Sequence, residues 1–232
     1  AMGVAVLLTI ISIMNGFESE IRERVLGLDG HIEVEMDGVP KTERGKLIDL
    51  IESSQVGVEV WPTISRDVLL QSGRSLLATE IRSSSVLVQS VQQDLLMFMK
   101  EGEILSSSSK AFSIVIGSQL AAQLGVGVGE LVTVISPDPR VTSLGLSPRT
   151  KRFEVLGVFE VGLGSSDSRL AFIKESDAAR FFRTDDTFDR LEVRLIDPAN
   201  APEFAKIIKG SINYPVRNLF ASLICDLIKK GI

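Results

Sequence analysis

One histidine, one cysteine and scattered carboxylates are all that this 232-residue chain offers to conventional catalysis. His31 opens the alternating run His31-Ile32-Glu33-Val34-Glu35-Met36, and no Gly-x-Ser-x-Gly elbow supplies a nucleophile beside it. A structural or surface histidine is the expectation, with a base in a Ser-His-Asp triad as the alternative. A single imidazole excludes a metal site built on several histidines. Asp185-Asp186, with Asp189 nearby, lacks the spacing of a calcium-binding loop and reads as a solvated turn. Gly125-Val126-Gly127-Val128-Gly129 has the composition of a phosphate loop but the wrong flanks, because a helix precedes it and a strand follows. A helix C-cap followed by a turn accounts for these glycines. Cys225 has no second cysteine to pair with, which leaves the redox compartment open. The expectation is a protein that is not an enzyme, with no catalytic residue, no cofactor and no metal.

A loop carries the strongest functional signal. Residues 137–152 lie between two strands and form a connection too long for a tight hairpin turn. Pro137, Pro139 and Pro148 stiffen both arms by fixing φ. Val141, Leu144 and Leu146 stand near the tip, and Gly145 permits a sharp reversal. Arg140, Arg149, Lys151 and Arg152 make the base cationic. Packing alone explains such a finger poorly, and it reads as a protrusion that another protein grips. The alternative is a long loop folded back on its own domain.

The elements that must hold this finger follow from periodicity. Residues 31–36 alternate as a half-buried strand, Lys46–Glu52 reads as a helix, and Val56–Pro62 as a strand. Leu191–Ile196, Ala199–Ile208 and Asn213–Val216 repeat that β-α-β order, with Asp197-Pro198 breaking the chain before the helix. Between them lies a β-rich stretch. It has a hairpin at Asp67–Leu70 and Ser75–Ile81, turned at Ser72-Gly73, and strands at Ser113–Gly117, Leu131–Ile135, Arg152–Val161 and Arg169–Ile173. It also has short helices at Ser118–Leu124 and Ser176–Phe182 and a Ser-rich loop at Glu101–Lys110. With 44% hydrophobic and 24% charged residues, the chain can build a sizeable core. A net charge of −5, with no basic stretch interleaved with aromatics, argues against nucleic acid as a partner.

Both ends are apolar. Gly3–Met14 is uncharged but shorter than the ~20 residues that cross a bilayer. A signal peptide, a buried helix and the outer end of a membrane helix compete here. The charged continuation, with Glu18 and Arg22 and then Glu20 and Arg24 four residues apart, suits a membrane helix emerging into water. At the other end Leu219, Phe220, Leu223, Ile224, Leu227 and Ile228 share one helical face, and Asn218 is a plausible N-cap. That helix either docks on the domain or leads back to the membrane surface.

Asn15-Gly16-Phe17-Glu18, with Ser12-Ile13-Met14 before it and Arg22-Glu23-Arg24-Val25-Leu26-Gly27 after it, resembles the end of the first membrane helix of LolC/LolE-type lipoprotein-releasing ABC-transporter permeases. Ile116-Gly117-Ser118-Gln119-Leu120-Ala121, Leu124-Gly125-Val126 and Gly129-Glu130 are similar to the family's middle. The same holds for Arg152-Phe153-Glu154-Val155, Gly157-Val158-Phe159, Glu192-Val193-Arg194-Leu195 and Asp197-Pro198, and Asn218-Leu219-Phe220 resembles the approach to the second membrane helix. The stretch Tyr214-Pro215-Val216-Arg217 is shorter than the family pattern and lacks a Trp-containing turn.

The resemblance implies a periplasmic domain of an inner-membrane permease, with an α+β fold as in MacB-type mechanotransmission permeases. A porter-like subdomain of two β-α-β units would carry an inserted β-rich, sabre-like subdomain, flanked by stumps of transmembrane helices. The implied division is residues 1–27 for the first membrane helix and stalk, 28–70 and 187–217 for the porter-like part, 71–186 for the insertion, and 218–232 for the helix leading to the second membrane segment. A hook at 138–150 would recruit the lipoprotein chaperone LolA through Pro139, Arg140, Val141, Thr142, Ser143, Leu144, Gly145, Leu146, Pro148 and Arg149. LolE-type subunits lack a working hook, so the loop favours a LolC-like or combined subunit. Implied partners are a cytoplasmic LolD-like ATPase, a second permease subunit or a second copy, lipoprotein substrates and the membrane. The rival readings are a MacB-like exporter of another substrate, a soluble hydrolase and a purely structural module.

Overall fold

The alternation at 31–36 becomes β1 (Ile32–Glu35), followed by α1 (Lys41–Ser54) and β2 (Glu59–Thr63). The chain then runs β3 (Ser65–Ser72), β4 (Ser75–Ser84), α2 (Gln89–Met97), β5 (Met99–Gly102), β6 (Ser113–Gly117) and α3 (Ser118–Leu124). It continues through β7 (Leu131–Thr142), β8 (Gly145–Phe159), α4 (Gly164–Arg169), β9 (Leu170–Lys174) and α5 (Glu175–Phe182). The return brings β10 (Arg190–Arg194), a 3-10 turn at Pro198–Asn200, α6 (Ala201–Ser211) and β11 (Val216–Asn218). The computed structural model describes residues 12, 30–36, 39–54, 59–84, 89–142, 145–162, 164–184, 188–211 and 214–219. The expected terminal helices lie outside these residues except for Ser12, Asn218 and Leu219, as do Asp185 and Asp186. No helix among the described residues is long and apolar enough to cross a membrane.

The two β-α-β units interleave. The smaller sheet has the order β11-β1-β10-β2, every neighbour antiparallel, so each unit is split by a strand of the other. Ile32, Val34, Leu191 and Val193 point to one face and pack on Leu47 and Ile51 of α1 and on Phe204 and Ile208 of α6. Asp197 ends the strand segment as expected, its Oδ1 accepting from Ala199 N at 2.9 Å. Asn218 closes β11 opposite Ile32, so the last strand ends two residues beyond the expected Asn213–Val216, of which Asn213 lies outside the described residues.

The larger sheet closes on itself. Its order is β5-β8-β6-β9-β4-β3-β7, with a further pairing of β7 to β8. Glu154 of β8 is opposite Ser113 of β6 on one side and Leu131 of β7 on the other. Six strands therefore form a closed barrel, and β5 adds to the lower end of β8. Strand β6 is buried throughout, which explains its unbroken apolar run. Phe153 fills the interior between Phe112 and Phe181 in edge-to-face contacts at 5.4 and 5.9 Å. Gly125 caps α3 with a left-handed φ of 66°, and Val126 N donates to Ala121 O, so these glycines terminate a helix and cradle no phosphate. Helix α2 and strand β5 occupy a stretch where periodicity gave no signal, and β5 takes Glu101 and Gly102 out of the expected Ser-rich loop.

Sheet and barrel are knitted where the chain crosses between them. Strand β3 already belongs to the barrel, so the outward crossing falls at Ile64 and not after residue 70. Ile64 N donates to Ser83 Oγ and Ser83 N donates to Ile64 O, both at 2.8 Å. On the return crossing, Asp189 accepts from Ser65 N at 3.3 Å and pairs with Arg66 Nη2 at 2.8 Å. Its backbone N donates to Thr63 O and its O accepts from Met36 N. Asp189 is therefore a buried clamp and not part of a solvated turn, because burial of a carboxylate is tolerated once ion pair and hydrogen bonds satisfy it. Beside the clamp, a polar cleft of about 450 Å³ separates the two layers, lined by Glu33, Arg66, Glu80, Arg82, Arg190 and Arg217 among others. Burial alone would raise the Glu80 carboxyl, but Arg82, Ser65 and Arg190 outweigh it and hold it below the usual range.

Close packing at Gly117 gives a direct test. A Cβ there would sit 2.3 Å from Asp167 O. Asp167 cannot retreat, since its carboxylate accepts from Val161 N and Gly162 N at 2.8 and 3.0 Å. Gly117→Ala should cost about 1–3 kcal/mol by overpacking. A thermal unfolding midpoint equal to that of the parent would contradict this packing.

Candidate functional site

Strands β7 and β8 are longer than the barrel they complete. Strand β3 pairs with β7 only at Gln71↔Thr133, Leu70↔Val134 and Leu69↔Ile135. Strand β6 pairs with β8 only from Glu154 to Phe159. Among the described residues, β7 and β8 pair only with each other beyond Ser136 and Arg149, and their ladder runs on through Pro139↔Pro148, Arg140↔Ser147, Val141↔Leu146 and Thr142↔Gly145. Within the expected loop at 137–152, residues 139–142 and 145–148 thus form a two-stranded arm that no third strand among the described residues joins. The reason is register: once β7 and β8 are aligned by the barrel, continued backbone pairing is the cheapest way to satisfy their polar groups. From Ser136 to Thr142 the arm extends about 20 Å at ~3.3 Å per residue.

Most of the expected hook residues fall on this ribbon. Pro139, Arg140, Val141 and Thr142 are on β7, and Gly145, Leu146, Pro148 and Arg149 on β8. Ser143 and Leu144 lie outside the described residues. Gly145 has φ +113°, the conformation its role in the reversal requires. A register shift between Ser136 and Pro139 puts Pro137 and Asp138 in a bulge at the root. Pro148 is exposed.

The cations at the root are anchors. Arg149 Nη1 donates to Phe182 O at 2.7 Å, at the end of α5, where Arg183 turns left-handed with φ +56°. Lys151 Nζ stands 4.0 Å over the Phe112 ring, and Lys110 Nζ pairs with Glu154 at 2.5 Å. The ribbon is thereby tied to α5 and to the β5–β6 connection. Arg152 is exposed beside an open depression of about 330 Å³ lined also by Gln71, Ser72, Gly73, Leu131 and Thr133. Leu69, Leu76 and Leu131 are exposed on the outer barrel face, Leu69 opposite Ile135 near the root of the arm and Leu76 and Leu131 further down the barrel. No local pattern marks them, because their exposure emerges from the register of β4, β3 and β7.

His31 has a structural place. Its ring is buried and Nδ1 accepts from Leu195 N at 3.0 Å. Burial, reinforced by Arg194 and opposed in part by Asp197, lowers its pKa from 6.5 to about 4. Among the described residues no group of three or more His, Cys, Asp or Glu is placed to hold a metal ion.

These features have a counterpart among known proteins. Residues 1–211 match the MacB-like periplasmic core domain. The chain belongs to that family. This MacB-like domain is 31% identical over 205 residues to the lipoprotein-releasing system transmembrane protein LolC of Neisseria meningitidis serogroup B, covering 87% of this chain and 49% of that protein. It is 30% identical to LolC of Xylella fastidiosa, over 100% of this chain and 58% of that protein. The chain spans about half the length of these curated relatives. The resemblance to the LolC/LolE type is borne out. The crystal structure of the periplasmic region of MacB from Actinobacillus actinomycetemcomitans aligns with TM-score 0.51 and 14% identity, over 90% of this chain and 97% of that one. At that identity the likeness is one of fold, and it agrees with the α+β architecture expected here.

The His31 environment predicts a pH dependence. A base whose folded pKa is depressed favours the neutral ring, so its contribution is fully present above about pH 6.5 and is lost as pH falls toward about 4. Denaturant titrations of the parent and of His31→Asn should diverge in that window, the variant losing less stability. Parallel curves would remove His31 as the cause.

Proposed function

We propose that this MacB-like domain is the periplasmic part of an inner-membrane ABC-transporter permease that releases lipoproteins and passes them to a LolA-type chaperone held by the β7–β8 arm. The observation that carries this reading is the arm itself, a proline-bordered ribbon whose flanks pair with no other strand among the described residues, on a chain about 30% identical to LolC proteins. Substrates and partners are inferred from the relatives' role in the lipoprotein-releasing system.

A second observation supports the membrane setting. Strand β1 begins and β11 ends at the same corner of the small sheet, with Ile32 opposite Asn218 and Leu219 N donating to His31 O at 3.1 Å. A chain that enters and leaves at one corner suits a domain standing on two neighbouring membrane helices. In this reading a LolD-like ATPase on the cytoplasmic side hydrolyses ATP, and a second permease subunit or a second copy completes the transporter. The domain itself transmits motion and performs no chemistry.

The physical need for such a relay is large. Each acyl methylene moved from lipid to water costs ~0.8 kcal/mol, so a lipoprotein's chains do not leave the membrane unaided. A chaperone fixed at the exit removes the free aqueous step. The exposed apolar Leu69, opposite Ile135 near the arm's root, would enlarge the surface offered to it.

Leu144→Asp, or deletion of 141–146, should abolish binding of LolA in calorimetry while leaving the thermal unfolding midpoint in place. Unchanged affinity would reject the arm as the chaperone site.

A further inference from the structure

Among the described residues no third strand pairs with either outer edge of the arm, and such an edge is a template for strand addition that proteins ordinarily protect. The rungs of the arm show how this one is protected. The ladder reaches Thr142↔Gly145, which leaves two residues, 143 and 144, to connect the strands. The pair flanking a two-residue connection is a hydrogen-bonded one, and such pairs alternate with non-hydrogen-bonded pairs along an antiparallel ladder. Val141↔Leu146 is then non-hydrogen-bonded, Arg140↔Ser147 hydrogen-bonded and Pro139↔Pro148 non-hydrogen-bonded. Residues on a non-hydrogen-bonded rung aim their backbone N–H and C=O outward, toward the edges where a new strand would attach.

Proline has no N–H. The Pro139↔Pro148 rung therefore offers no donor on either edge, at the same height on both. On the β7 side Pro137 removes another donor, within the irregularity between Ser136 and Pro139. Outward donors on the exposed ribbon are reduced to isolated ones at Val141 and Leu146, on opposite edges. These are also the rungs where proline leaves the arm's own ladder intact, since on a hydrogen-bonded rung it would delete an internal bond.

We infer that Pro139 and Pro148 form a donor-free rung that bars strand addition to the arm, whether by a second copy of the chain or by an extended segment of a partner, so that the arm is recognised through its side chains. The backbone register is the same whichever protein grips the arm, and loss of chaperone binding and loss of edge protection are read out separately.

The test is Pro139→Thr combined with Pro148→Thr in the full 232-residue chain, kept in mild detergent so that its apolar ends do not associate. Threonine restores both donors and suits an extended strand. Relative to the parent, the double variant should show a concentration-dependent doubling of mass by light scattering. Amide exchange at residues 141 and 146 should slow by about tenfold as particles pair. Circular dichroism and the unfolding midpoint report on the barrel. Should the double variant fold poorly, each single variant opens one edge and is read in the same way. A folded variant that keeps the parent's mass and the parent's exchange rates at 141 and 146 overturns the inference.

Discussion

Strand β8 must satisfy three neighbours at once, and the rest of the molecule follows from how it does so. Its lower end lies between β6 and β5, Glu154 sits between β6 and β7, and its upper end pairs with β7 alone. Fifteen residues of strand reach about 50 Å, whereas the five residues of β6 reach about 16 Å. A closed barrel removes sheet edges, but it can use only part of a strand that long. The surplus of β7 and β8 leaves the barrel as a ribbon. The protrusion is thus the overhang of core strands, aligned by the same hydrogen bonds that close the core, and differs in kind from a loop inserted between strands.

Such an overhang is stable only because it is rooted. Isolated hairpins are marginal in water. Here the root carries Arg149 bonded to the end of α5 and Lys151 over Phe112, while Phe153 drives the adjoining rung into the interior. Below, the reciprocal bonds of Ile64 and Ser83 and the clamp at Asp189 tie the barrel to the small sheet. The result is a continuous bonded path from the corner where the chain enters and leaves to the base of the arm. Under the proposed function this continuity matters, since a loose hinge at either joint would dissipate displacement before it reached the arm.

The charged cleft between the layers has the opposite character. Its arginines and carboxylates pair in partly exposed geometry, where solvent screening reduces their contribution to stability. Apolar burial in the barrel and beneath the small sheet supplies the cohesion, and the charged groups set how the two layers meet.

Much of this was legible in the chain itself. Apolar alternation located β1, the continuous run Ser113–Gly117 announced a buried strand, and Asp197-Pro198 marked the start of the last helical segment, because these signals are local. The prolines and tip residues of the arm were conspicuous for the same reason. Other features belong to tertiary structure alone. That β7 and β8 stay paired out to Thr142 and Gly145, that Pro139 is the partner of Pro148, and that Asp189 is buried against Arg66 all depend on strand register and on the meeting of segments distant in the chain. Composition and periodicity describe what each residue prefers, whereas register is decided by the shared requirement that every buried backbone group find a partner.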